Sequence, residues 1–296
     1  MPTQRVLSTY LFLNRKLTPA LLTEIASAKF SAIELFCSHS HFDYRSPVDV
    51  RELASALSGN NLRLHSLHSP TGRDFLPGRE SGVPLSICAQ ERMRRLDAVD
   101  EIKRAIDVAE QIPFSFLIQH FGTSRDTIDD RKKDAAFSSL EHLVIFAKQR
   151  GVTIALENTV SEMGSPASLR SFIEETKLSG LRLCFDIGHA NVEEGPADER
   201  VARSFEVMRE HVATTHIHDN HGDKDEHLLP YEGSIEWPAA LAMLSGAPTP
   251  NLPLVLELKE LPSSASGYPD GGAITNTLAG ARGVLDKFEE ILQKPR

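Results

Sequence analysis

The stretch Val212-Ala-Thr-Thr-His-Ile-His-Asp-Asn-His-Gly-Asp-Lys-Asp-Glu-His227, continued by Leu-Leu-Pro-Tyr-Glu-Gly233, runs from a short strand into a polar loop. Val212 to Thr215 are β-branched or small, which suits a buried strand. His216 to Gly233 then hold four histidines, three aspartates and two glutamates. Imidazole nitrogens and carboxylate oxygens gathered at a strand end suit a divalent ion of the zinc, manganese or cobalt kind. The competing reading is a solvated acidic loop. It is outweighed because the same residue types recur at other strand ends.

Outward from this segment, short apolar strands alternate with amphipathic helices about eight times. The pattern predicts strands over 5–12, 32–37, 62–68, 114–120, 152–157, 181–186, 212–218 and 252–258. Helices are expected over 19–28, 48–58, 91–111, within 126–150, and over 166–177, 198–211, 235–244 and 272–292. Thr18 is a candidate cap for the first, with Pro19 at its first position. Gly59 and Gly151 are expected to close the second and fourth helices, and Ser234 to cap the seventh. Alternation of this kind predicts an α/β fold with a parallel sheet. Eight pairs point to a closed (β/α)8 TIM barrel, one domain over 1–296, since a barrel of about 250 residues is a single domain. No GxGxxG follows a strand and no GxxxxGK[ST] occurs, so the dinucleotide and P-loop fingerprints are missing. The longest connection, 69–90, carries three glycines and three prolines and is a candidate lid over the barrel mouth. Its Arg73 and Arg79 read as solvated loop charges.

With 41% hydrophobic and 25% charged residues, the composition is that of a globular protein. No run has the length of a membrane span. The N-terminus lacks a charged leader followed by an apolar signal core, so a cytoplasmic location is the default expectation. Cys37, Cys88 and Cys184 form no CxxC pair and read as reduced thiols. A net charge of −9 favours a small-molecule ligand and argues against general binding to duplex phosphates.

Barrel enzymes place their chemistry at the C-terminal ends of the strands. The third predicted strand ends in His68, with His65 before it, and the fourth in His120. The fifth ends in Glu157, followed by Asn158; the sixth ends in Asp186, with His189 three residues on. The seventh gives His216 and His218, then Asp219, Asp225 and His227; the eighth gives Glu257. Phase supports an inward site. Val152, Ile154 and Leu156 alternate with Thr153, Ala155 and Glu157, so the small set and the carboxylate share the interior face. Leu252, Leu254 and Leu256 likewise alternate with Val255 and Glu257. A carboxylate that deep needs a partner or a metal. The competing partner is an interior cation, for which strands five to seven offer only Arg182.

These segments resemble the xylose isomerase-like barrel superfamily, which holds sugar isomerases, sugar epimerases and the endonuclease IV group. The matching pieces are Ile33-Glu34-Leu35-Phe36, Leu156-Glu157-Asn158, Phe185-Asp186-Ile187-Gly188-His189, His216-Ile217-His218-Asp219, Asp225-Glu226-His227 and Leu256-Glu257-Leu258. The resemblance implies a metal set of Glu157, Asp186, His216 and Glu257. It also implies further ligands matching the three-zinc site of endonuclease IV: His68, His120, His189, Asp225 and His227. His218 is an alternative to His216 two residues away, and His65 and His218 are otherwise read as interior or supporting histidines. One to three divalent ions (Zn, Mn or Co) are therefore expected. The function implied first is a sugar or sugar phosphate isomerase/epimerase working by proton transfer through an enediolate, with Glu157 and Glu257 as base and acid. His189, His68 and Asn158 are then the expected substrate contacts, Asn158 being read first as a supporting donor beside Glu157, and Trp237 is a core residue or a ring wall. The alternative is an endonuclease IV-like zinc phosphodiesterase on abasic DNA. The expected partner is a carbohydrate, not nucleic acid or a membrane. A barrel that only binds carbohydrate is the non-enzymatic reading. Members of this group often form dimers or tetramers, so a homo-oligomer is expected without an identified interface.

Overall fold

Eight parallel strands pair in chain order and close on themselves: β1 (Arg5–Ser8), β2 (Ala32–Phe36), β3 (Arg63–His68), β4 (Phe116–His120), β5 (Thr153–Glu157), β6 (Leu181–Asp186), β7 (Val212–Ile217) and β8 (Leu254–Leu256). This computed structural model describes residues 4–72, 84–124, 126–259 and 271–293, with backbone alone over 271–276. The helices are α1 (Pro19–Ser27), α2 (Pro47–Gly59), α3 (Arg92–Ile106), α4 (Asp130–Lys148), α5 (Pro166–Thr176), α6 (Ile187–Val192), α7 (Arg200–Met208), α8 (Trp237–Leu244) and α9 (Gly271–Gln293). The expected (β/α)8 barrel is thus the fold, in one domain.

Strand phase follows the alternation of side chains. Ile154, Leu156, Leu254 and Leu256 join the large core between barrel and helices. Val6, Ala32 and Val255 form one small interior cluster, and Ile118, Ala155 and Cys184 another. Small residues fill the inside of a narrow barrel, while Leu and Ile seat the helices. Each Leu or Ile removed from water contributes roughly 1.5–3 kcal/mol. Arg182 is exposed and donates to the carbonyl of Leu181, so it is not an interior counter-ion.

Several boundaries differ from expectation. The first strand stops at Ser8, not at residue 12. Ser8 Oγ accepts from the Tyr10 N–H and Thr9 Oγ1 from the Phe36 N–H, which turns the chain into a 3-10 segment, Thr9–Phe12, on the mouth side. Thr18 does cap α1, accepting from the Leu21 N–H. Gly59 lies inside α2, and Asn60 caps it. Gly151, at φ +72°, follows α4 as expected. Ser234 does not cap α8; its hydroxyl donates to the carbonyl of Asn220. Helix α6 was not expected. It starts where the Asp186 carboxylate accepts from the His189 N–H at 2.6 Å. Of the candidate lid, residues 73–83, with Arg73 and Arg79, lie outside the described residues. Gly72 and Pro84 at its edges form an antiparallel bridge. Among the described residues, no helix is long and apolar enough to cross a membrane.

Candidate metal centre

Strand register brings the acidic and imidazole groups together. His120 of β4 stands beside Glu157 of β5, and Asp186 of β6 beside His216 of β7. Three groups result, each with ligand atoms within 4.8 Å of one another: His68, His120 and Glu157; Glu157, Asp186, His216 and Glu257; and His189, His218, Asp225 and His227. Every metal-ligand candidate from the sequence falls in one of them. His218 joins the third group instead of replacing His216. His65 stays apart, with Nε2 3.5 Å from Thr214 Oγ1, and burial lowers it to about 4.

Glu157 sits at the junction. Its Oε2 lies 3.4 Å from His68 Nε2 and 3.3 Å from His120 Nε2. Its Oε1 lies 3.1 Å from His216 Nδ1 and 3.5 Å from His189 Nδ1. Asp186 joins the second and third groups, with Oδ2 3.8 Å from His216 Nδ1 and Oδ1 3.0 Å from His218 Nε2. Glu257 Oε2 closes the central group 3.3 Å from His216 Nδ1. Asp225 Oδ2 lies 3.0 Å from His227 Nε2 and 3.5 Å from His189 Nε2.

Two observations test whether these residues fit metal ions. First, both oxygens of Glu157, together with His216 Nδ1 and Asp225 Oδ1, are buried without a hydrogen-bond partner among the described residues. Such groups are costly to bury unless something else satisfies them. Second, the far nitrogens are already held. Nδ1 donates to a backbone carbonyl in His68 (Ser69, 2.9 Å), His189 (Asn158, 2.8 Å) and His227 (Glu257, 3.0 Å). That fixes the tautomer and leaves each Nε2 lone pair facing its donor group, as ligating histidines require. His227 takes a left-handed φ of +51°, a strained backbone of the kind found at functional sites. The residues fit divalent ions.

Charge is distributed unevenly. Burial works against ionisation of Glu157, yet the His216 and His120 imidazoles outweigh it and hold the carboxyl well below its usual range. Burial, with Glu157 and Glu34 nearby, pushes Glu257 up to about 7 despite His216. Burial opposes a charge on His216 and His189 too, but surrounding carboxylates raise both well above the ordinary imidazole value.

Supporting residues complete the mouth. Asn158 binds the backbone of Asp186 through both ends of its amide, at 2.9 and 2.8 Å, so it ties β5 to β6 and does not reach outward as a substrate contact. Asp219 is no ligand; its carboxylate gathers the N–H groups of Asn220, Tyr231, Ile235 and Trp237. Trp237 is thereby buried, stacked on Phe288, and walls no ring. A Cβ on Gly188 would drive into the His218 ring, so glycine is needed there. Tyr10 and Phe36 pack at 5.0 Å beside His227 and His68. Lys259 places Nζ 3.8 Å from Asp225. Sequence reasoning missed Tyr10, Lys259 and Glu34. Only Glu34 left a signal, as a carboxylate inside an apolar strand.

The sequence model described as xylose isomerase-like TIM barrel matches residues 22–276. An uncharacterized protein of Methanocaldococcus jannaschii is 29% identical over 244 residues, 80% of this chain and 78% of that protein. A probable endonuclease 4 of Haloquadratum walsbyi is 24% identical over 191 residues, 60% of this chain and 68% of that protein. A solved D-tagatose 3-epimerase-like protein superposes with a TM-score of 0.76 over 98% of both chains at 24% identity, a likeness of fold. With an endonuclease among the relatives, net charge alone does not exclude nucleic acid.

Proposed function

This chain belongs to the xylose isomerase-like TIM barrel family, and on that basis we propose that it is a metal-dependent enzyme that hydrolyses a phosphodiester at three adjoining ion sites. One observation carries the reading: the two oxygens of Glu157 face different donor groups. Glu157 could hold an ion through each of its oxygens, and would then have neither free to take a proton from carbon. Divalent ions bound there would supply the Lewis acidity that phosphoester hydrolysis needs.

The chain's own groups do the rest. Glu157 and Asp186 fix the spacing of the three groups. His120 and Asp225, with side chains 31% and 30% exposed, stand at the open side where substrate arrives. Lys259 adds a positive charge at that edge for an anionic ligand. Burial and the nearby Glu257, Asp225 and Glu157 keep Tyr10 protonated, so its hydroxyl can donate to a substrate oxygen.

A second reading, sugar isomerase/epimerase, is favoured by the opposite shifts of Glu157 and Glu257, which both face His216 Nδ1. Carboxyls pushed apart in this way can divide base and acid roles. The acidic net charge also suits a carbohydrate. Under this reading Glu157 takes a proton from carbon and Glu257 returns one. Elemental analysis of purified protein separates the two, combined with nicking of an abasic duplex, hydrolysis of an aryl phosphodiester, and deuterium uptake into ketoses in heavy water. Three ions per chain with chelator-sensitive hydrolysis supports the first reading. One ion with deuterium uptake and no hydrolysis overturns it.

A further inference from the structure

Glu34 lies on β2, fully buried, and belongs to none of the three donor groups. Both of its oxygens lie 3.1 Å from His216 Nε2 across the barrel. Ser66 of β3 donates its hydroxyl to Oε2 at 2.7 Å. A buried carboxylate is expensive without a partner, and the His216 Nε2–H is the donor it faces. His216 differs from the other site histidines. Its far nitrogen meets a carboxylate where His68, His189 and His227 meet backbone carbonyls. It also turns Nδ1, not Nε2, toward the donor group.

We propose that Glu34 is a positioning residue for the central ion. It holds the Nε2 proton of His216, so that Nδ1 presents its lone pair between Glu157, Asp186 and Glu257. A carboxylate behind a ligating histidine fixes ring orientation and raises its basicity. Ser66 keeps Glu34 from turning, because it anchors the oxygen that also faces His216. Without Glu34 the ring has no acceptor behind it among the described contacts, and the imidazole can turn Nε2 inward. The inference rests on the metal-binding reading of the site and is independent of which substrate is used.

The test uses full-length protein, stripped of metal and titrated with zinc against a chromophoric chelator. Wild type, Glu34→Gln, Glu34→Ala and, as a ligand-loss reference, His216→Ala are compared, with thermal unfolding as the folding control. Glu34→Ala should weaken one zinc equivalent by about 10–100-fold and leave the others unchanged. Glu34→Gln keeps an oxygen acceptor and should recover most of that loss. Two-bond proton–nitrogen couplings in the zinc-loaded wild type should show His216 bound through Nδ1 and protonated at Nε2. Glu34→Gln should keep that signature, and it carries the test if Glu34→Ala fails to fold. Wild-type affinity in Glu34→Ala, equal loss in both variants, or coordination through Nε2 overturns the proposal. Wild type that binds no zinc overturns the metal reading beneath it, and that failure shows before any variant is compared.

Discussion

Asp219→Asn should unfold this protein at a markedly lower temperature although Asp219 touches no donor group. The carboxylate is fully buried and accepts four hydrogen bonds. Oδ1 takes the N–H of Asn220 (2.9 Å) and Ile235 (3.2 Å); Oδ2 takes the N–H of Tyr231 (3.0 Å) and the Trp237 indole (2.8 Å). An asparagine keeps one oxygen for two of these donors and turns an amino group toward the other two. Each buried donor left unmet costs about 1–3 kcal/mol, so the loss should total roughly 2–6 kcal/mol. In a chain of this size that lowers the midpoint by roughly 3–10 °C. The loop held by these bonds carries Asp225 and His227, so zinc at the His189 group should weaken in parallel. Circular dichroism melts and a zinc titration of the same variant measure both effects. A midpoint within about 1 °C of wild type would refute the accounting.

Glu157→Gln should remove more than one ion, because both donor groups that share Glu157 lose a charge; elemental analysis showing a single ion lost contradicts the bridging role. Gly188→Ala should destabilise by about 1–3 kcal/mol, since a Cβ there overlaps the His218 ring; a denaturant midpoint equal to wild type would show that the ring moves freely. In metal-stripped protein, His189 and His216 have folded values raised above the unfolded value of about 6.5. The stability they contribute is full below that value and is lost as pH rises through their folded values. Zinc binds the deprotonated rings, so its stabilisation grows with pH. The gap between zinc-loaded and stripped melting temperatures should therefore widen from about pH 6 to 8.5, and a constant gap counts against these shifts.

What could be read in the chain was what periodicity encodes. The alternation around Ala155 and Val255 gave the inward direction of Glu157 and Glu257, and the interior clusters agree. Histidine and carboxylate at successive strand ends gave the donor positions. What periodicity does not encode is partner choice across the barrel. Glu34 sits in a strand buried on both faces, where no alternation marks it, and its role depends on a residue 182 positions away. Asp186 looked like a strand end, but its second task as a cap for α6 is a matter of local geometry in a six-residue helix. Asp219 stands beside the ligand candidates at the end of β7, and spacing cannot tell a carboxylate facing an ion from one facing four N–H groups. His218 stood as an alternative to His216 because residues two apart share a face, and register with Asp186 assigned them to different groups.

The order of donors along the polypeptide has a bearing on biosynthesis. Glu257 follows β8, the last strand of the barrel in chain order. An ion at the central group would therefore lack its full set of ligands on a nascent chain still short of its last strand. The His68 group, complete once Glu157 has emerged, can recruit an ion much earlier. If these groups hold ions, the one that Glu257 completes would be the last to form, at the closure of the barrel.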